Sequence, residues 1–181
     1  MVLSEKPTIK QLMQNLPQQG TVEWISIRPK KRAAVISLES VKVLPQGLEG
    51  DHYAGRSGNR SVTLIQQEHI NTIASLLHKK QVSPQDLRRN IVVSGINLLA
   101  LKGRTFSIGT AVLQMTGLCH PCSRMEETFG AGGYNAVRGH GGINARVITP
   151  GEIKLGDGVS VHGEDNEIDS KNDNVIGNKS G

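Results

Sequence analysis

Short β-branched runs broken by glycine and proline turns recur from Thr21 to His162, and this rhythm limits the fold more than any other feature. Val22 to Arg28, Ala33 to Leu38, Ser61 to Ile65, Ile91 to Val93 and Arg104 to Ile108 read as strands. So do Ala111 to Thr116, Asn144 to Ile148, Glu152 to Leu155 and Val159 to His162. The punctuation is a basic turn from Arg28 to Arg32, a tight Gly109-Thr110, Pro150-Gly151 and Gly156-Asp157-Gly158. Many strands at short intervals predict a mainly β fold, an antiparallel barrel or sandwich with a few peripheral helices. Its core must be Val, Ile and Leu, because 21 residues are glycine and only five of 181 are aromatic.

Helical periodicity is confined to a few places. Thr8 to Leu16 carries Ile9, Leu12, Met13 and Leu16 on one face, with capping-box spacing between Thr8 and Gln11. Gln66 to His78 places Ile70, Ile73, Ala74 and Leu77 on one face. Ser83-Pro84 starts a short turn or helix, and Arg124 to Phe129 and Gly133 to Val137 read as short helices. Gly47 to Gly55 is too glycine-rich for a regular element and reads as a loop. The chain therefore divides into a helical extension over 1–19 packed on the domain, a β domain, barrel or sandwich, over 20–162, and a disordered polar tail over 163–181.

Charge is unevenly spread. The last 19 residues hold five acids and two lysines, net −3, which leaves 19 basic and 11 acidic side chains, net +8, in the first 162. A basic body suits an anionic small molecule. The scarcity of aromatics argues against single-stranded nucleic acid, which needs stacking platforms. No run of 18 apolar residues can span a membrane. Glu5, Lys6 and Pro7 stand where a signal peptide would need apolar residues, so the expected location is cytoplasmic.

The segment Thr116-Gly117-Leu118-Cys119-His120-Pro121-Cys122-Ser123-Arg124 carries the strongest chemical signal. It follows a strand and precedes a helix, which places Cys122 at a helix start, where the dipole and Arg124 favour a thiolate. A thiolate attacks sulfur or carbon, carries a persulfide or binds a soft metal. The spacing also allows a redox pair, half of a zinc site completed by His120, His140 or His52, or two inert packing thiols. Arg88, Arg89 and Asn90 precede a buried strand; arginine forks suit phosphates, and asparagine can read a heterocycle edge. The loops Gly50 to Gly55 and Gly139 to Asn144 permit close backbone approach or serve as tight turns. Neither matches a P-loop or a dinucleotide fingerprint.

In order along the chain, GLEGDHYAG at 47–55, SVTLIQ at 61–66, LRRNIVVSGINLLAL at 87–101, FSIGTAVLQMTG at 106–117, PC at 121–122 and GHGGINARVITPGEIKLGD at 139–157 resemble the MOSC domain. This is the C-terminal domain of molybdenum cofactor sulfurases, here in its stand-alone bacterial form. The resemblance implies a MOSC-type β-barrel and a functional cysteine at Cys122. It implies that Cys122 carries sulfur as a persulfide or ligates molybdenum of the molybdopterin cofactor. It places Arg88 and Asn90 where cofactor contacts are expected, and Asp51 and His52 in the family's glycine-rich loop lining the site. It also implies a role in sulfur transfer or, with an electron-transfer partner, in reduction of N-hydroxylated compounds. No aminotransferase-like domain is present, so no pyridoxal phosphate is expected from this chain, and sulfur would come from a cysteine desulfurase partner. Neither nucleic acid nor membrane is an expected partner. Two other classes remain open: a non-catalytic barrel binding an anionic metabolite, and a zinc-stabilised structural domain.

Overall fold

The computed structural model describes residues 6–53 and 58–162. The expected tail, and Ala54 and Gly55 of the first glycine loop, lie outside the described residues. Among the described residues eleven strands and five α-helices follow one another. They are α1 (Ile9–Gln14), β1 (Gly20–Ile27), β2 (Ile36–Leu38), β3 (Ser40–Leu44), β4 (Gly47–Leu48), β5 (Val62–Gln66), α2 (Gln67–Leu76) and α3 (Pro84–Leu87). Then come β6 (Ile91–Ser94), β7 (Thr105–Ile108), β8 (Ala111–Leu118), α4 (Ser123–Phe129), α5 (Gly133–Val137), β9 (Ile143–Thr149), β10 (Gly151–Lys154) and β11 (Gly158–Val161).

Seven strands close into a barrel in the order β1-β11-β7-β8-β9-β5-β6, with β6 returning to β1. Closure is made by β1 against β11, Gly20 opposite Val159 and Thr21 opposite Gly158. Among the described strands only β5 and β6 pair in parallel, and the helix α2 supplies the crossover that a parallel pair requires. β2 extends the sheet beyond β1, and β10, β3 and β4 form a second, three-stranded sheet.

The strand alternation sorts the core. Leu64 of β5 and Ile91 and Val93 of β6 join Ile25, Phe106, Leu113, Ile143 and Val159 in one cluster. Their neighbours Ile65 and Val92 point the other way and pack with Ile70, Ile73, Leu87, Met125 and Val137 from the helices. The helices thus cover the outer face of the parallel pair, which a parallel pair needs on both sides. Phe106 is the one phenylalanine in the first cluster, so aliphatic side chains fill it, as the composition requires.

The expected elements recur with shifted ends. Thr8 caps α1 through the reciprocal pair with Gln11, at 2.7 and 3.3 Å. No residue of α1 is buried; Arg104 donates to Met13 O at 2.8 Å, and Leu16 packs against the barrel core. The strand expected over Ala33 to Leu38 shortens to β2, because Ala33 N–H closes a turn on Lys30 O at 3.0 Å. The reading of 47–55 as entirely loop is corrected at its start, where Gly47 and Leu48 pair with Leu44 and Val43. β3 went unread although Val41 and Val43 alternate with Ser40 and Lys42.

Candidate functional site

The cysteine segment leaves the end of β8 under restraint. Cys119 N–H donates to Gly142 O at 2.9 Å, and Asn144 Nδ2 donates to Leu118 O at 2.9 Å. Residues 119–122 contain no turn or bend, and Pro121 is buried. Both Cys119 and Cys122 are free thiols in this structure. Cys122 caps α4 with extended backbone, and Met125 N–H donates to its carbonyl at 2.9 Å. Its side chain is exposed and makes no capping hydrogen bond.

Arg88 lies within electrostatic reach of this thiol. Arg88 ends α3 in the left-handed conformation, φ 57°, which turns the chain so that Arg88 and Arg89 serve different neighbours. Arg88 Nη2 donates to Ala33 O at 3.3 Å, while its Nε is buried with no partner among the described residues. Burial pushes its pKa down, and the positive charges of Arg28 and Arg124 push it further down. Cys122 and Tyr53 act in the opposite sense. Arg28, Arg124, Cys122 and Tyr53 therefore all lie within electrostatic reach of Arg88. Arg28 also lies over the Tyr53 ring, 5.2 Å from its centroid, a cation–π arrangement.

Asp51 and His52 shape the rim from below. Asp51 is 4% exposed; its carboxylate accepts Arg28 N–H at 2.7 Å and Tyr53 N–H at 3.4 Å. His52 donates its backbone N–H to Arg28 O at 2.8 Å and turns Nδ1 to the same oxygen at 3.1 Å. Its ring meets Tyr53 at 4.1 Å between centroids. Both residues thus hold Arg28 and Tyr53 in place.

Asn90 sits elsewhere in the network. Its Oδ1 accepts from Thr63 N–H and Oγ1, and its Nδ2 donates to Ser26 O at 3.2 Å. Both ends of the amide are engaged with the strand frame rather than turned toward the arginines.

The second glycine loop approaches protein backbone closely. A Cβ on Gly141 would overlap Cys119 O, and one on Gly142, at φ 85°, would overlap Leu64 O. Arg89 connects this loop to the cysteine segment, with Nε donating to Gly141 O at 2.7 Å and Nη2 to Cys119 O at 3.5 Å. The sequence reading left Arg28 and Tyr53 out of the site. Their signals, a basic turn and a tyrosine inside GDHYAG, become meaningful only when Asp51 joins them.

The residues present suit a phosphorylated pterin with a soft metal. Arg28, Arg88 and Arg124 supply cations, the Nε of Arg88 supplies a donor with no partner among the described residues, and Cys122 supplies a soft sulfur donor. Among the described residues no three His, Cys, Asp or Glu side chains converge to hold a metal by themselves, so the zinc-stabilised alternative lacks a ligand set there. A separate groove lined by Ser107, Thr110, Glu152, Lys154, Asp157 and Ser160 includes none of these site residues.

The profile of the MOSC domain matches residues 27–160. Among solved structures, the YuaD protein of Bacillus subtilis superposes with a TM-score of 0.73 at 21% identity, covering 83% of this chain and 100% of that one. YiiM of Escherichia coli gives 0.62 at 18% identity, covering 82% and 72%. YiiM of Geobacillus stearothermophilus gives 0.64 at 17%, covering 79% and 75%. No curated protein sequence matches. Among the described residues, no helix is long and apolar enough to cross a membrane.

Proposed function

Because the chain belongs to the MOSC domain family, which is linked to molybdenum cofactor sulfurase, we propose that it binds a molybdopterin-type cofactor and uses Cys122 as its working thiolate in sulfur transfer. One observation carries this reading: an exposed, free thiol lies within electrostatic reach of Arg88, which also feels Arg28 and Arg124 and keeps a buried donor without an acceptor among the described residues. Arg28, Arg88 and Arg124 hold the phosphate, and Cys122 faces the sulfur- or metal-bearing end. Asp51 and His52 fix Arg28 and Tyr53, so their contribution to binding is made through those two side chains.

The chemistry of the thiol balances without an oxidant. Cys122 thiolate attacks the outer sulfur of a donor persulfide, a new S–S bond forms on Cys122, and the donor leaves as a thiolate that takes up a proton. The donor fits a cysteine desulfurase class of partner. The exposure of Cys122 favours this use, since a carrier must meet both donor and acceptor.

The second use of the same thiolate is to ligate molybdenum, which when bound supplies oxygen-atom exchange for reduction of N-hydroxylated compounds. The unpartnered Arg88 Nε favours it, because an unsatisfied donor fits a resident anion better than a passing one. Electrons would then come from an electron-transfer partner.

Elemental analysis decides. The protein is expressed without oxygen in a host that makes molybdenum cofactor, and wild type is compared with Cys122→Ala. A sulfur adduct on Cys122 by mass spectrometry, with little molybdenum, supports the carrier. Molybdenum near one per chain that disappears in Cys122→Ala supports the metal ligand. Neither signal, with anion binding unchanged in Cys122→Ala, leaves a non-catalytic binding barrel and overturns the proposal.

A further inference from the structure

Arg89 is the one buried cation among the described residues, 9% exposed. Its guanidinium meets only carbonyls. Nε donates to Gly141 O at 2.7 Å, Nη1 to Leu87 O at 2.8 Å, and Nη2 approaches Cys119 O at 3.5 Å. Among the described residues its charge has no acidic partner; the ion pair found there joins Lys154 to Glu152. Asp51, the buried carboxylate, is committed to the N–H groups of Arg28 and Tyr53.

Those three carbonyls belong to three segments: the end of α3, the glycine-rich loop and the cysteine segment. Cys119 N–H donates to Gly142 O at 2.9 Å, so the cysteine segment is gripped on both sides of one residue. A side chain at Gly141 would intrude on both Cys119 O and Arg89 Nη2. The backbone of Arg89 is itself fixed, since its carbonyl accepts from Ser26 Oγ at 2.8 Å. A planar fork with separated donors can hold several carbonyls at once, and an ammonium on a flexible stem cannot reproduce that geometry. A buried cation without a counter-ion is also a poor choice for packing alone.

We infer that Arg89 is a positioning residue: it latches the cysteine segment to the glycine-rich loop and so sets where Cys122 stands relative to Arg28, Arg88 and Arg124. This rests on the reading of Cys122 as a thiolate working in a cationic site. It assigns the site's geometry to a residue that touches neither ligand nor sulfur.

The test compares alkylation of Cys122 by anionic iodoacetate and neutral iodoacetamide, measured by peptide mapping and normalised to a free thiol. Loss of stability alone changes both rates together, so their ratio reads the local field. Wild type is expected to prefer iodoacetate over the free-thiol reference. Arg89→Gln and Arg89→Lys, held well below their melting temperatures, are expected to lose about five-fold of that preference, with the iodoacetamide rate within about two-fold. Gly141→Ala keeps the arginine and its charge but crowds both Cys119 O and Arg89 Nη2, and is expected to do the same if the Arg89 variants fail to fold. Preference retained in the folded variants overturns the inference alone. Restoration by Arg89→Lys also overturns it, since charge without the fork would then suffice. No preference in wild type overturns the cationic-thiol reading and this inference together.

Discussion

Asn90 and Thr63 are locked to each other across the parallel strand pair of the barrel. Thr63 donates its N–H and its hydroxyl to Asn90 Oδ1 at 3.0 and 2.9 Å. Asn90 N–H returns a shared hydrogen bond to Thr63 Oγ1 and O at 3.0 and 3.1 Å. A parallel pair has no hairpin to fix its register, so a side chain that replaces a ladder contact has unusual leverage. Asn90→Ala strands the N–H of Thr63 and the carbonyl of Ser26 and is expected to cost about 2–4 kcal/mol in urea unfolding. Thr63→Ala keeps the backbone bonds and is expected to cost about 1–2 kcal/mol, with the double variant less than additive. Phosphate binding by folded Asn90→Ala should stay within about two-fold of wild type. A selective loss of binding at unchanged stability would instead make Asn90 a ligand contact.

Gly142 is expected to be the least tolerant position of the second glycine loop. Its φ of 85° is one that L side chains rarely adopt, and a Cβ there would overlap Leu64 O in the barrel wall. Gly142→Ala must move β5 or the loop, and backbone cannot yield as a side-chain tip can. The expected loss is about 3 kcal/mol or more, or failure to fold. Gly139 also has positive φ, 86°, but nothing lies near its would-be Cβ. Gly139→Ala is therefore expected to cost only about 1–2 kcal/mol, the strain of the left-handed backbone. Equal costs by chemical denaturation would show that conformation, and not close approach, governs the loop.

Much of this architecture is legible because each strand carries its own pattern. Val92 and Ile65 announce buried neighbours through β-branching, and the Thr8–Gln11 spacing announces a capping box that forms as expected. Closure of β1 on β11 is not legible, since Gly20 opposite Val159 is a relation between residues far apart in sequence. β3 escaped because its five residues end beside a proline and a glycine, where a loop is the simpler reading. Cys122 and Arg88 stand out in the sequence by their chemistry, and Cys122 contributes to the electrostatics of Arg88 in the structure. Arg28 and Tyr53 do not stand out in this way. Asn90 looks like a reader of heterocycle edges in sequence, but its position before a parallel strand turns both ends of its amide to backbone and Thr63.

Glu126 staples α4 to α5, accepting the N–H of Gly132 and of Tyr134, each at 2.8 Å. Those two bonds, Tyr134 first, hold its carboxyl below the usual value of 4.5. A carboxylate favoured in the folded state contributes stability that is present above 4.5 and lost as pH falls through the depressed value. Glu126→Gln is therefore expected to flatten the stability profile below pH 4.5 while leaving it parallel to wild type above pH 5.5. Unfolding midpoints across this range check it, and an unchanged acid limb would show that the staple does not respond to charge.

The acid limb nearer neutrality is expected to come from His69. Its ring meets His140 edge-on, 5.3 Å between centroids, and the Nδ1 atoms of both rings are buried without partners among the described residues. Burial lowers the pKa of His69 below 6.5, the nearby His140 charge lowers it further, and Glu68 opposes both. The folded state thus prefers the neutral ring, and the unfolded chain binds the proton first as pH falls. Stability from this group is fully present above pH 6.5 and declines from there down through the depressed pKa, below which both states are protonated. His140→Gln removes one source of repulsion and should shrink the decline, whereas His69→Gln should abolish its share. Urea midpoints between pH 7.5 and 5 separate this window from that of Glu126. A wild-type midpoint that stays flat across it would mean that the two orphaned nitrogens find partners on protonation, and that the pair is not the weak point of the fold in mild acid.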